Sequence, residues 1–159
     1  MDAHDVEMRI AEGEQAFQAL LQCAREHAGT LEAHAAEQGI FTRLLPMGLA
    51  AMKLYFAQRG TGDVGPAVTR ADGVLLPREK PLRGRDYFSI FGKFAVARTC
   101  YRMPGEPGIF PLDAQVNLPE RCYSYFLQER MTLFEVEHPF KESARWFEQL
   151  FDLEVAESA

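Results

Sequence analysis

The sequence predicts an α+β protein, with long N-terminal helices, a small antiparallel β-sheet or hairpin in the middle and C-terminal helices. Three observations predict it. Ile10, Phe17, Ala24 and Leu31 recur at seven-residue intervals in a stretch otherwise rich in Glu, Gln, Arg and His, which is helical patterning. Between Arg85 and Tyr101 apolar residues alternate with others around Gly92, which is the period of a half-buried strand. After a Pro- and Gly-rich loop, aromatic and aliphatic residues from Tyr123 to Phe151 return to helical spacing. A chain of 159 residues, 47% of them hydrophobic, is long enough for one domain with its own core and too apolar for a disordered tail. Within residues 1–159 we expect a helical part at 1–59, an antiparallel β part at 66–112 and a helical part at 117–159.

The first helix is expected from Val6 to about Gln38, with Leu21, Ala28 and Ala35 widening the apolar stripe. The stripe is Ala-rich and broken by Gly13 and Gly29, so a helix packed on its own domain, or a modest dimer contact, suits it better than a long free coiled coil. Gly39 is read as the break before a second, more apolar helix over Phe41–Phe56. There Leu45, Leu49, Met52 and Phe56 keep helical spacing, and Pro46 marks a start or kink. Gly60–Pro66 reads as a connector. It lacks the Lys-Ser/Thr ending of a phosphate-binding loop, and no strand precedes it. Val68–Arg70 and Val74–Leu76 flank Asp72-Gly73, a hairpin cue, and Pro77 and Pro81 confine the next residues to an edge strand or an irregular segment.

The central hairpin comes next. Phe94, Val96, Arg98 and Cys100 share one face, with Ala95, Ala97, Thr99 and Tyr101 on the other. Ile109–Asp113 is expected as a short returning strand. Asn117-Leu118-Pro119-Glu120 looks like a helix start, with proline and an acid in the first turn. That helix is expected from Glu120 to Glu137, with Tyr123, Phe126, Leu127, Met131 and Phe134 inward. The last helix spans Phe140–Phe151, with Phe140, Ala144, Phe147 and Phe151 inward, and Asp152–Ala159 begins something further. Two helices joined by a short turn are how a helix-turn-helix opens, although most helical proteins contain such a pair.

Sites for chemistry are sparse. There is no GxSxG, HExxH or P-loop. Three widely spaced cysteines, Cys23, Cys100 and Cys122, form no CxxC pair, so neither a zinc knuckle nor a disulfide framework is indicated. Arg98 and Arg102 near Cys100 could lower its pKa, but no partner histidine is in view. His27 and His34 are seven apart, not the i, i+4 spacing that lets two side chains meet one ion. No cofactor and no metal are expected. No run approaches the roughly 18 apolar residues of a membrane span. The N-terminus has no signal-peptide pattern, so a cytoplasmic protein without a membrane partner is the expectation.

The net charge of −6 is unevenly spread. Thr61–Met103 holds eight basic and four acidic residues, while the remainder holds nine basic and nineteen acidic. A basic middle between acidic helices is the local footprint of phosphate binding, and a solvated sheet face carries such charge equally well.

Several stretches together resemble the N-terminal region of bacterial insertion-sequence transposases of the Kra group, distant relatives of the Mutator-like transposases. They are Tyr55-Phe56 leading into Gly60–Pro66, then Tyr87–Gly92, Arg98-Thr99-Cys100-Tyr101, Pro111-Leu112-Asp113, Leu118-Pro119 and the final helices. The resemblance runs roughly from Leu45 to Leu153. It implies a transposase that recognises the ends of its element and cuts and joins DNA with two metal ions on an Asp-Asp-Glu set in an RNase H-like domain. That domain would lie after the matched segment, so no catalytic residue carries over and this chain is not expected to be an enzyme by itself. Related proteins often place paired cysteines after the Arg-Thr-X-Tyr strand. Here Arg102–Gly108 has none, and no zinc is expected.

The expected function is therefore a DNA-recognition and assembly segment of a transposase, with DNA at the element ends and further copies of the chain as partners. Arg83, Arg85, Lys93, Arg98 and Arg102 would meet phosphates. The alternative is a truncated or repurposed dimerisation module without DNA binding.

Overall fold

The structure, a computed structural model, describes residues 3–135 and 140–151. Two long helices form an antiparallel pair, α1 (Ala3–His27) and α2 (Ala33–Arg59). Two short hairpins come after them, β1 (Ala67–Thr69) with β2 (Leu75–Pro77), and β3 (Arg83–Ser89) with β4 (Gly92–Arg98). A single turn of helix α3 (Pro111–Gln115) and the helices α4 (Tyr125–Glu135) and α5 (Phe140–Phe151) complete the described chain. The α+β class is as the sequence predicts, with the β part divided into two separate two-stranded sheets.

The first two helices divide at a different place from the one expected. The chain turns at residues 28–32, where Gly29-Thr30 ends α1. Gly39 and Pro46 lie inside α2. At Gly39 α1 passes close: a Cβ there would lie 3.4 Å from Cys23 Sγ. Buried Cys23 and the Glu12–Lys53 ion pair (3.7 Å) mark the side of α1 that faces α2. Ile10, Phe17, Ala24 and Leu31, the seven-spaced stripe, are exposed instead. Over 18 residues α2 has a mean hydropathy of 1.2, long and apolar enough by composition to cross a membrane. Arg43, Lys53 and Pro46 had hidden that run from a count of consecutive apolar residues.

The β3–β4 hairpin lies against α2. Its register pairs Arg83 with Arg98, Arg85 with Val96 and Tyr87 with Phe94. The rings of Phe56 on α2, Tyr87 and Phe94 pack at steep angles to one another, 5.4–5.5 Å between ring centres. Val96 and Leu112 complete that core, with Met52, Val116 and Leu118 around it. The hairpin tip, Ile90-Phe91, rests on α2 at Gly48, where any side chain would run into the Phe91 ring. The other face of β3 carries Phe88 onto Tyr123 (5.1 Å), beside Leu127, Met131 and Phe151. Phe88 N–H donates to Cys122 O (2.9 Å) and Ser124 N–H to Phe88 O (2.8 Å), so residues 122–124 run beside β3 as a short parallel bridge.

Past β4 the expected elements shift. Ile109 meets Tyr101 in an isolated bridge, and Pro111–Gln115 is helical, because proline with an acid behind it starts a helix better than it continues a strand. Asn117–Glu120 does not start the next helix. Ser124 does, accepting the Leu127 N–H at 3.0 Å as an N-cap. On α4, Leu127 is fully buried, whereas Phe126 is exposed rather than inward. Helix α5 has the bounds expected, and residues 152–159, where a second helix of a helix-turn-helix would begin, lie outside the described residues.

Candidate nucleic-acid interface

The loop Gly60–Pro66 is tied to the end of β4 by its polar groups. The Tyr101 side chain is fully buried, with its hydroxyl 3.0 Å from Asp63 Oδ1 and from Gly65 O, and it accepts the Val64 N–H at 2.9 Å. Thr61 and Thr99 hydroxyls meet at 2.8 Å, and Thr99 N–H donates to Thr61 O. The Gly65 N–H, the Tyr101 hydroxyl and Arg78 hold the Asp63 carboxyl below the usual carboxylate range. Gly62 has φ +75° and lies on α3, where a Cβ would fall 2.5 Å from Leu112 N. Only glycine meets both demands.

The five basic residues singled out from the sequence do not share one surface. Arg85 and Arg98 lie on the hairpin face turned toward α3, and both engage Asp113, Arg98 at 2.5 Å and Arg85 at 3.5 Å. Arg98 is only 8% exposed and its guanidinium sits 4.1 Å above the Phe110 ring. Arg85 also donates to the carbonyls of Pro119 and Arg121. These two arginines are internal struts between the hairpin and residues 110–121, which corrects the expectation that they point at phosphate. Lys93 is on the opposite, outer face, paired with Asp86 at 2.7 Å and 5.1 Å from the Phe88 ring centre.

Arg83 and Arg102 remain together. Both reach Glu79, at 3.1 and 2.6 Å, and hold its carboxyl below the ordinary range, Arg102 the more strongly. Arg78 and Lys80 flank Glu79 in sequence, and both carry side chains open to solvent. Along this edge Arg78 pairs with Asp63, Arg83 and Arg102 pair with Glu79, and exposed Lys80 follows Glu79 in the chain. Thr61, Asp63, Arg78, Glu79, Lys80, Leu82 and Thr99 line a shallow depression there. The arrangement is a cationic ridge in which Asp63 holds Arg78 and Glu79 holds both Arg83 and Arg102. It can bind an anionic backbone, and the residues lining it align no nucleophile with a base.

Sequence reasoning missed Asp113 and Glu79, each an acid shared by two arginines. The signal was faint: an acid in the first turn of α3, and an acid between Arg78 and Lys80. Cys100 is buried, and burial together with the Glu79 carboxylate pushes its thiol up, opposite to the lowering expected from Arg98 and Arg102. All three cysteines are free. Among the described residues no group of three His, Cys, Asp or Glu could hold a metal ion. Compared with protein-family models, with curated proteins and with solved structures, the chain matches none.

Proposed function

We propose that the chain is a DNA-recognition and assembly segment of an insertion-sequence transposase, without the catalytic domain. One observation supports this reading above the others. Residues that carry the resemblance to that family meet in space: Phe56 on Tyr87, Gly62 on Leu112, Asp63 on Tyr101, and Arg98 on Asp113. Duplex DNA would run along the ridge of Arg78, Lys80, Arg83 and Arg102, with Lys93 reaching it only if the backbone also crosses the outer face of the hairpin.

The test is fluorescence anisotropy of the full chain with duplexes from the inverted repeats flanking its gene, across a salt series. Binding at low salt that weakens steeply as salt rises supports the reading. Replacing Lys80 and Arg102 by Ala should lower affinity and reduce the salt slope by about two. No shift at low salt, or an unchanged slope in the double variant, would overturn it. The rival reading, an interaction module without DNA binding, draws on the apolar residues that α1 and α2 leave exposed. An assembled chain with no DNA shift would be its signature.

A further inference from the structure

We infer that the open edge of β4 is a docking site for an extended peptide of another protein, which adds a strand to the hairpin and sets an acidic side chain against Lys53. Phe88 directs its backbone groups away from β4, to Cys122 and Ser124. Its partner in the register is Lys93. Lys93 therefore turns its own N–H and C=O away from β3, and the alternation of an antiparallel ladder extends this to Ala95 and Ala97. Thr99, next in the same alternation, gives its N–H to Thr61 O at 2.8 Å. Among the described residues the outward backbone groups of Lys93, Ala95 and Ala97 have no partner. The two edges of the hairpin thus differ: residues 122–124 pair with β3, and no described backbone pairs with the edge of β4 before Thr99. No proline or bulge blunts this edge, and Lys93, its one charge, is drawn to Asp86 across the outer face of the hairpin.

The edge opens on a trough. Residues 94–97 of β4 form one side of it, and Asp5 and Arg9 of α1 with Lys53 and Ala57 of α2 line most of the rest. In an added strand, the residues opposite Phe94 and Val96 turn their side chains to the same face as those two, toward α2, where Phe94 meets Phe56. Two side chains of the peptide, separated by one residue, therefore point into the trough. The charges there set what they are. Arg9 is taken up by Asp5 and Glu12, at 3.3 and 2.8 Å. Lys53 is half-buried, and its ion pair with Glu12, at 3.7 Å, is too long for a hydrogen bond. Among the described residues no other acid pairs with it. A carboxylate on one inward position of the peptide gives that ammonium a close counter-charge. The other inward position, over Ala57, takes an aliphatic side chain. The partner is thus a strand carrying an acid and an aliphatic residue with one residue between them, held by main-chain hydrogen bonds to β4 and by those two side chains.

The probes are two synthetic peptides, Thr-Thr-Glu-Thr-Val-Thr-Thr and its reversed order Thr-Thr-Val-Thr-Glu-Thr-Thr, because the ladder fixes spacing but not chain direction. Titrated to millimolar into the full chain without DNA and followed by nuclear magnetic resonance, one of them should shift the amide signals of Lys93, Ala95 and Ala97 and slow their hydrogen exchange. Ala95→Pro removes an N–H that points away from β3, so the β3–β4 ladder keeps its bonds. It should weaken binding about tenfold with the far-ultraviolet circular dichroism unchanged. Lys53→Gln should weaken binding of the same peptide about tenfold, and should not affect a version with Gln in place of Glu. The proposal is overturned if neither peptide moves the edge amides, if folded Ala95→Pro binds as before, or if Lys53→Gln leaves the affinity unchanged. Edge amides already protected in the free chain, more so at higher concentration, would overturn it too, because a second copy would then hold the edge. With no DNA present, the outcome is independent of the salt series above.

Discussion

The α1–α2 pair and the region from Thr61 to Pro119 hold together by different means. The pair is long, regular and thinly buried: of its described residues only Cys23, Ala50 and Phe56 are buried. The later region has short strands, yet Leu76, Val96, Arg98, Thr99, Cys100, Tyr101 and Leu112 are all buried within it. Its irregular backbone is fixed by polar groups with specific partners, such as Asp113 between two arginines and Tyr101 on Asp63. Helices satisfy their own backbone and leave side chains free for a partner. Loops must find partners within the fold. The difference teaches where tolerance to mutation should lie.

The largest effect should come from breaking the Asp113 cluster. Asp113→Ala leaves Arg98 buried without its counter-charge, and removing one partner of such a pair is strongly destabilising, about 3–5 kcal/mol. Urea unfolding of the variant would read it directly. A midpoint unchanged from that of the original chain would mean Arg98 relaxes to solvent and is no strut. Gly62→Ala should come next, at about 2–4 kcal/mol, from a left-handed backbone conformation and a Cβ pressed on Leu112 N. The same substitution at Gly13, where a Cβ meets nothing within 4 Å, should leave stability unchanged or raise it. That pair of glycines sharpens the contrast between the two regions in one experiment.

The helical pair should respond to concentration instead. If copies associate through the apolar residues that α1 leaves exposed, Phe17 among them, the unfolding midpoint of the unsubstituted chain rises with protein concentration, whereas that of Phe17→Glu does not. Thermal scans over a hundredfold concentration range would show a shift for one and none for the other. A flat midpoint for both would leave the helices without a partner and weaken the contrast.

Legibility in the sequence divides along the same line. Helices and hairpins with a clear period were legible: α5 matches its expected bounds, and β4 divides into the two faces its alternation gave, with Phe94, Val96 and Arg98 together on the more buried one. The seven-residue stripe was legible too, but its direction was not. A period shows that a helix has an apolar side, and Cys23 on the other side had no pattern to announce that α1 uses it against α2. The site was less legible. Counting basic residues over Thr61–Met103 treats each charge as free, whereas Arg85 and Arg98 are bound to an acid fifteen or more positions away. Such long-range pairing depends on the strand register and on α3, neither of which local sequence specifies.

The smallest effect, and the finest test of the polar region, is its acid sensitivity. Asp63, Asp72 and Glu79 have carboxyls held below the ordinary range by Gly65 N–H, Arg70 and Arg102 respectively, each the leading cause. A carboxyl lowered in the folded state binds fewer protons than in the unfolded chain as pH falls. Its stabilisation is therefore complete above the ordinary carboxylate pKa of about 4 and is lost as pH drops through the depressed values. Asp63 and Asp72 are exposed and Glu79 is half-buried, so each contributes little and the three act together. Asp63→Asn removes one titrating group but keeps a side chain that can still accept from the Gly65 N–H. The original chain should be the more stable near neutral pH, and the gap should narrow steadily below about pH 4. Chemical denaturation at a series of acid pH values would show it. A gap that stays constant down to strong acid would mean that Asp63 acts through shape alone, with no part for its charge beside Arg78.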